Sequence, residues 1–350
     1  MIGERQMTSW TKAALTCSLG LALLLVVAVA AGAPPVRAGE PMPAVPTQSA
    51  AGATEADLWH AIRQGAAGST TLPNPRAGVL IQSDGEAWRH LRNGPIVTYG
   101  TWAMGGILAM LALFFLLRGR IRIDGPKTGR TVERFNLLER ATHWLTAGSF
   151  IVLALTGLNV LYGRWALLPL IGPEPFALLA GWGKLAHNYL GFAFILGVVL
   201  TLLLWIRHNL PDRTDVGWIL RAGGLFSKGV HPPAKKFNAG QKVIFWSVIV
   251  GGAVLGYTGV QLLFPFYFGT MADMQFYQTV HAIAALAMVV IIIGHIYIGS
   301  IGMEGAFAAM STGQVEEEWA REHHALWLAE VKGQRPGPRP GGHHGHAPAE

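Results

Sequence analysis

Cysteine is almost missing: a chain of 350 residues holds one, Cys17. A single thiol builds no CxxC pair, no CxxCH attachment, no thiolate-held iron–sulfur cluster and no intrachain disulfide. Charge is scarce as well. Asp, Glu, Lys and Arg make up 13% of the chain, against about 25% in soluble proteins, which excludes the two soluble domains that length alone suggests. Nor is the +7 formal charge a nucleic-acid signal, because most basic residues fall in two loops between apolar segments. What remains is 51% apolar residues and 44 glycines, with a mean hydropathy of +0.36. Glycine is commoner in membrane helices than in soluble ones, so the chain reads as an all-α integral membrane protein.

Residues 1–38 have the layout of a signal peptide. Arg5 and Lys12 precede an apolar run over 13–33, and Pro34-Pro35 lead to a small-residue pattern ending at Ala38. Cleavage after Ala38 and retention as an anchor are the two alternatives. Residues 39–95 are polar and rich in Gly, Pro and Ala, as an exported periplasmic segment would be. Five apolar stretches follow, near 96–117, 141–162, 185–206, 243–264 and 277–301. Each is long enough to cross a hydrocarbon layer of roughly 30 Å.

Basic loops orient these spans. The loop 118–142 carries Arg118, Arg120, Arg122, Lys127, Arg130, Arg134 and Arg140, and the loop 207–242 is equally basic. The positive-inside rule puts both in the cytoplasm of a bacterial inner membrane. The chain beyond 303 then also lies inside, with its end at 350 expected to be disordered, and residues 39–95 lie outside.

Within the spans stand four histidines, and ionisable groups there mark functional sites by default. His281 and His295 are 14 residues apart, close to four helical turns, so they share a face with a separation of roughly 21 Å. Depth pairs His187 with His281 near the outer side and His143 with His295 near the cytoplasmic side. Two stacked bis-histidine sites suit two haem b groups. Imidazole is a good iron ligand, and two axial imidazoles leave no open position, so such sites transfer electrons. Gly148, Gly157, Gly191, Gly197, Gly294 and Gly299 flank the histidines and leave room for a flat macrocycle. The chain shows no internal repeat in this reading, and the histidines lie toward the faces. Both features weigh against the alternative of a proton-coupled transporter. His60, His90 and His208 read as surface residues, while His343, His344 and His346 fall in a Gly/Pro-rich tail. Trp102, Trp144, Trp205 and Trp246 read as an interfacial aromatic belt.

A family resemblance rests on particular stretches. Arg134-Phe-Asn-Leu-Leu-Glu-Arg-Ala-Thr-His143-Trp144 resembles the first-helix signature of formate dehydrogenase gamma subunits, the cytochrome b membrane anchors. So do Leu185-Ala-His187 with Gly191, Arg207-His-Asn-Leu-Pro-Asp212, and Lys236-Phe-Asn238-Ala-Gly240-Gln241-Lys242 running into Phe245-Trp246-Ser247. The His281/His295 interval and a tail motif from Trp319 through His323-His324 to Trp327 complete the match over about 130–330.

The resemblance implies a four-helix di-haem domain over 143–302 with one additional transmembrane helix before it, and haem ligands paired as depth already suggests. It also implies a quinone pocket at His295 with Asn238, Gly240 and Gln241. Asn and Gln supply donors for quinone carbonyls, although Asn238 is equally placed to cap the following helix. Arg140 and Lys242 are weaker candidates for haem propionates. The function implied is that of the membrane subunit of a formate dehydrogenase. Its partners would be an iron–sulfur (beta) subunit and a catalytic (alpha) subunit, and quinone would be the electron acceptor. The catalytic site for formate would lie elsewhere than on this chain. A nickel–iron hydrogenase cytochrome b subunit remains the alternative, separated only by the Asn238–Gln241 loop.

Overall fold

The computed structural model describes residues 84–333, except 228, 266 and 268, together with short pieces between 54 and 81. The signal-peptide reading and His343, His344 and His346 lie outside the described residues. Among the described residues, five helices are long and apolar enough to cross a membrane. Helix α1 (Val97–Arg118) is entered through a π-type turn, Arg92–Ile96, that contains Pro95. Strand β1 (Thr131–Glu133) precedes α2 (Leu137–Ala166) and α3 (Pro173–Trp205). A short α4 (Arg213–Leu220) leads to α5 (Ala239–Leu263) and α6 (Met271–Tyr297). The chain closes with β2 (Gln314–Glu316), α7 (Glu317–His323) and α8 (Ala325–Val331).

Caps fix where the spans begin. Asn136, Asn238 and Thr270 each accept from the backbone N–H three residues on, while Glu139, Gln241 and Asp273 return the bond. Two donors that a helix start would otherwise leave bare are thereby satisfied. Helix α3 begins at Pro173, well before the 185 expected from hydropathy. Proline suits the first helical position, and Gly183 lies close enough to Thr156 to pack the extra turns on α2. The basic segment 118–142 is likewise partly helix, since α2 starts at Leu137.

Helices α2, α3, α5 and α6 form the bundle, with α2 along α3, α5 along α6, and α3 against α5. Their shared middle layer is Phe150, Phe194, Val198, Leu255, Met288 and Val289. Helix α1 docks outside it on α6, where Gly100 faces Tyr162 and Leu286 and the Tyr162 hydroxyl donates to the Val97 carbonyl.

Residues 302–333 fold back as part of the body. Strand β2 pairs antiparallel with β1, and Val315, Trp319, Trp327 and Leu328 join Phe135, Trp205, Phe237 and Phe245 in a second apolar core. Buried Arg134 is the pin of this cap. Its guanidinium lies 5.1–5.2 Å from the ring centres of Phe135, Trp319 and Trp327 and donates to the Lys236 carbonyl at 2.6 Å. Trp205 and Trp246 belong here too, not to a lipid-facing belt. Their indoles donate to Glu139 and to the Asn209 carbonyl.

A repeat that composition does not announce is visible once α2 and α5 are aligned on their caps. Arg134-Phe-Asn136-x-x-Glu139 with Trp144 matches Lys236-Phe-Asn238-x-x-Gln241 with Trp246, and Thr156-Gly157-x-Asn159 matches Thr258-Gly259-x-Gln261 at the same interval. The expectation of no repeat is therefore corrected. Only scattered positions repeat, which is why self-similarity is weak in the sequence.

Candidate paired-histidine sites

The four membrane histidines meet as two pairs. The ring centres of His187 and His281 are 6.2 Å apart, and those of His143 and His295 are 6.3 Å apart. The interplanar angles are 60° and 59°. That spacing is too wide for ring stacking and fits a metal between the rings. With metal–nitrogen bonds of about 2.0 Å and a nitrogen ~1.1 Å from each ring centre, two facing imidazoles stand about 6 Å apart. No cluster of three His, Cys, Asp or Glu able to hold a bare metal ion occurs among the described residues. Two ligands alone suit a group that brings its own equatorial donors, as a porphyrin does.

Room for such a group exists around the first pair. A cavity of about 580 Å³ is lined by His187, His281, Gly157, Gly191, Gly256 and Gly259, within the range of ~300–1,000 Å³ usual for cofactor sites. A Cβ at Gly157 or Gly259 would stand 3.5 Å from the Cε1 of His187 or His281, in ordinary contact, so these two glycines lie directly beside the rings. Arg92 and Lys184 stand among the lining residues and would offer cationic partners to acidic substituents of a bound group. Sequence reading missed both. Around the second pair, side chains at Gly148 and Gly294 would meet nothing within 4 Å. Gly197 plays another part, since a Cβ there would run into Thr146 of α2. It lets α2 and α3 approach.

Two hydroxyls complete the first pair. Thr156 Oγ1 lies 2.8 Å from His187 Nδ1, and Thr258 Oγ1 lies 2.8 Å from His281 Nδ1. His143 Nδ1, by contrast, is buried with no hydrogen-bond partner. His60, His90 and His208 are exposed, as read from sequence.

Asn238 and Gln241 bond one another as a capping box. Asn238 Oδ1 accepts from the Gln241 N–H at 2.9 Å, and Gln241 Oε1 accepts from the Asn238 N–H at 3.0 Å. The box uses one oxygen from each amide, so neither NH2 group is spent in it. Gly240 has a packing reason, because a Cβ there would sit 3.0 Å from the Trp218 ring. Lys242 is no propionate partner. It is buried, and its Nζ bonds Asp215 at 2.8 Å, Asp212 at 3.1 Å and the Leu210 carbonyl at 3.0 Å. Burial alone would raise the Asp212 carboxyl, but hydrogen bonds from Thr214 and the Lys242 charge outweigh it and hold Asp212 below the usual carboxylate range. Arg140 donates to the Ser311 carbonyl at 2.6 Å, tying α2 to the C-terminal segment.

A family model described as prokaryotic cytochrome b561 matches residues 134–313. Among curated proteins, the cytochrome b556(Fdn) subunit of the nitrate-inducible formate dehydrogenase of Escherichia coli K12 is 27% identical over 209 residues, 58% of this chain and 93% of that one. The cytochrome b556(fdo) subunit of formate dehydrogenase from the same organism is 29% identical over 206 residues, 58% of this chain and 94% of that one. The formate dehydrogenase cytochrome b556 subunit of Haemophilus influenzae is 25% identical over 197 residues, 55% and 79% of the two chains.

Proposed function

The chain belongs to the prokaryotic cytochrome b561 family of membrane electron-transfer haem proteins, and from that premise we propose that it is the cytochrome b subunit of a formate dehydrogenase complex. In this reading it carries electrons from an iron–sulfur partner subunit to membrane quinone. Two haem b groups would be held, one by His187 and His281 and one by His143 and His295. The matched ring separations of 6.2 and 6.3 Å carry the assignment, and relatives named for formate dehydrogenase cover over 90% of their own length. Haem b bound there would supply a one-electron carrier.

The residues of the chain define the rest. Thr156 and Thr258 fix the tautomers of His187 and His281, glycines line the cavity around the rings, and Arg92 and Lys184 would neutralise propionates. Asn238 and Gln241 would present amide donors to a quinone beside His295, at the cytoplasmic boundary where protons are available. A catalytic subunit oxidising formate on the outer side would make inward electron transfer with cytoplasmic proton uptake electrogenic. The reading also puts the protein in a bacterial inner membrane, which the two basic loops support through the positive-inside rule.

The test is addition of formate to membranes holding the assembled complex, with hydrogen as the comparison. Formate is expected to reduce the b-type absorbance and then the quinone pool. Reduction by hydrogen but not formate would overturn the assignment in favour of a hydrogenase partner.

A further inference from the structure

The two histidine pairs agree in ring separation but differ at one atom. Thr156 and Thr258 place a hydroxyl oxygen 2.8 Å from Nδ1 of His187 and His281. Each hydroxyl has one proton, and each donates it to a carbonyl one turn back, that of Val152 or Val254, at 2.7 Å. The oxygen can then only accept, so each ring carries its proton on Nδ1 and turns a free Nε2 lone pair to its partner. No hydroxyl bonds His143 or His295 among the described residues, and His143 Nδ1 is buried without a partner. The asymmetry is built twice over. Each Thr-Gly step stands at the same interval from its Asn cap, and each long helix of the repeat delivers a hydroxyl to the neighbouring helix, α2 to His187 on α3 and α5 to His281 on α6.

We propose that Thr156 and Thr258 are positioning residues that make the His187/His281 site the lower in potential of two haem sites, so that electrons run from it toward His143/His295. This inference rests on the di-haem reading above. A hydroxyl accepting Nδ1–H gives the ring partial imidazolate character and makes Nε2 a stronger donor. A stronger axial donor favours ferric over ferrous iron and lowers the potential. Reduction remains one electron per iron, and no proton leaves the ring. Both ligands of the site are affected with the same sign, whereas among the described residues no hydroxyl accepts from either ring of the other site.

The experiment is an equilibrium redox titration of the b-type absorbance in the purified complex, with haem content measured first. Wild type should titrate in two waves. In Thr258→Val, which keeps shape and removes the acceptor, the lower wave should rise by about tenfold in reduction constant, the low end of what such outer partners contribute. For a one-electron couple that equals ~59 mV. Thr156→Val should move the same wave the same way, and Thr258→Ser should restore it. The upper wave should stay in place throughout. An unmoved lower wave, a shift of the upper wave, or failure of Thr258→Ser to restore overturns the inference while two haems per chain persist. Fewer than two haems per wild-type chain overturns the di-haem reading itself, and this inference with it.

Discussion

Asn238 offers two chemistries that one substitution separates. Its Oδ1 caps α5, while its NH2 is the group proposed to meet a quinone. Aspartate is an equally good cap but has no NH2. Asn238→Asp should therefore leave thermal stability near wild type while slowing quinone reduction at least tenfold, the rough effect of losing one hydrogen bond. Asn238→Ala should slow the reaction and also cost about 1 kcal/mol of stability. Melting curves beside quinol formation rates check both; equal rates in wild type and Asn238→Asp would restrict Asn238 to capping. The pairing of the histidines was legible from depth and spacing, and Asn238 was legible as a cap from its residue type, while its quinone role came only from the resemblance. Thr156 and Thr258 were not legible. Serine and threonine in helices commonly bond the carbonyl a turn back, and nothing in sequence says which of them use the remaining lone pair on a neighbouring ring.

Among the elements, the junction of α7 and α8 carries the pH dependence. His324 is fully buried, with Nδ1 bonded to the Lys235 carbonyl and Nε2 facing Arg134. Burial first, then the Arg134 charge, holds it well below the ordinary histidine value. His323 is pushed down to about 4 by burial, with the charges of His231 and Arg134 adding. An unfolded cap would protonate both near 6.5. Since the folded values are depressed, their contribution is complete above about 6.5 and is lost as pH falls toward 4. Tryptophan fluorescence should report opening around Trp319 and Trp327 across that window. A signal flat between 6.5 and 4 would contradict the packing.

Helix α1 gives a second test at this scale. Gly100→Leu forces a side chain against Tyr162 and Leu286, an overpacking expected to cost about 1–3 kcal/mol. The melting temperature of the purified complex checks this, and an unchanged value would contradict the close approach at Gly100. The spans themselves were legible from hydropathy. Their ends were not, since Pro173 and the Asn caps, rather than apolar width, decide where α2, α3 and α5 begin.

As a whole the molecule is two tiers of paired imidazoles around one apolar layer, closed on one side by a folded cap. The fold class followed from composition and spacing. The cap did not, because Arg134, Trp319 and His324 come from distant parts of the chain and nothing in their separate motifs says that they meet. Haem stoichiometry of the purified protein by pyridine haemochrome, in wild type and in His281→Ala and His295→Ala, bears most directly on the central claim. Two haems per chain in wild type and one in each variant are expected. A variant that keeps the full wild-type content would contradict it.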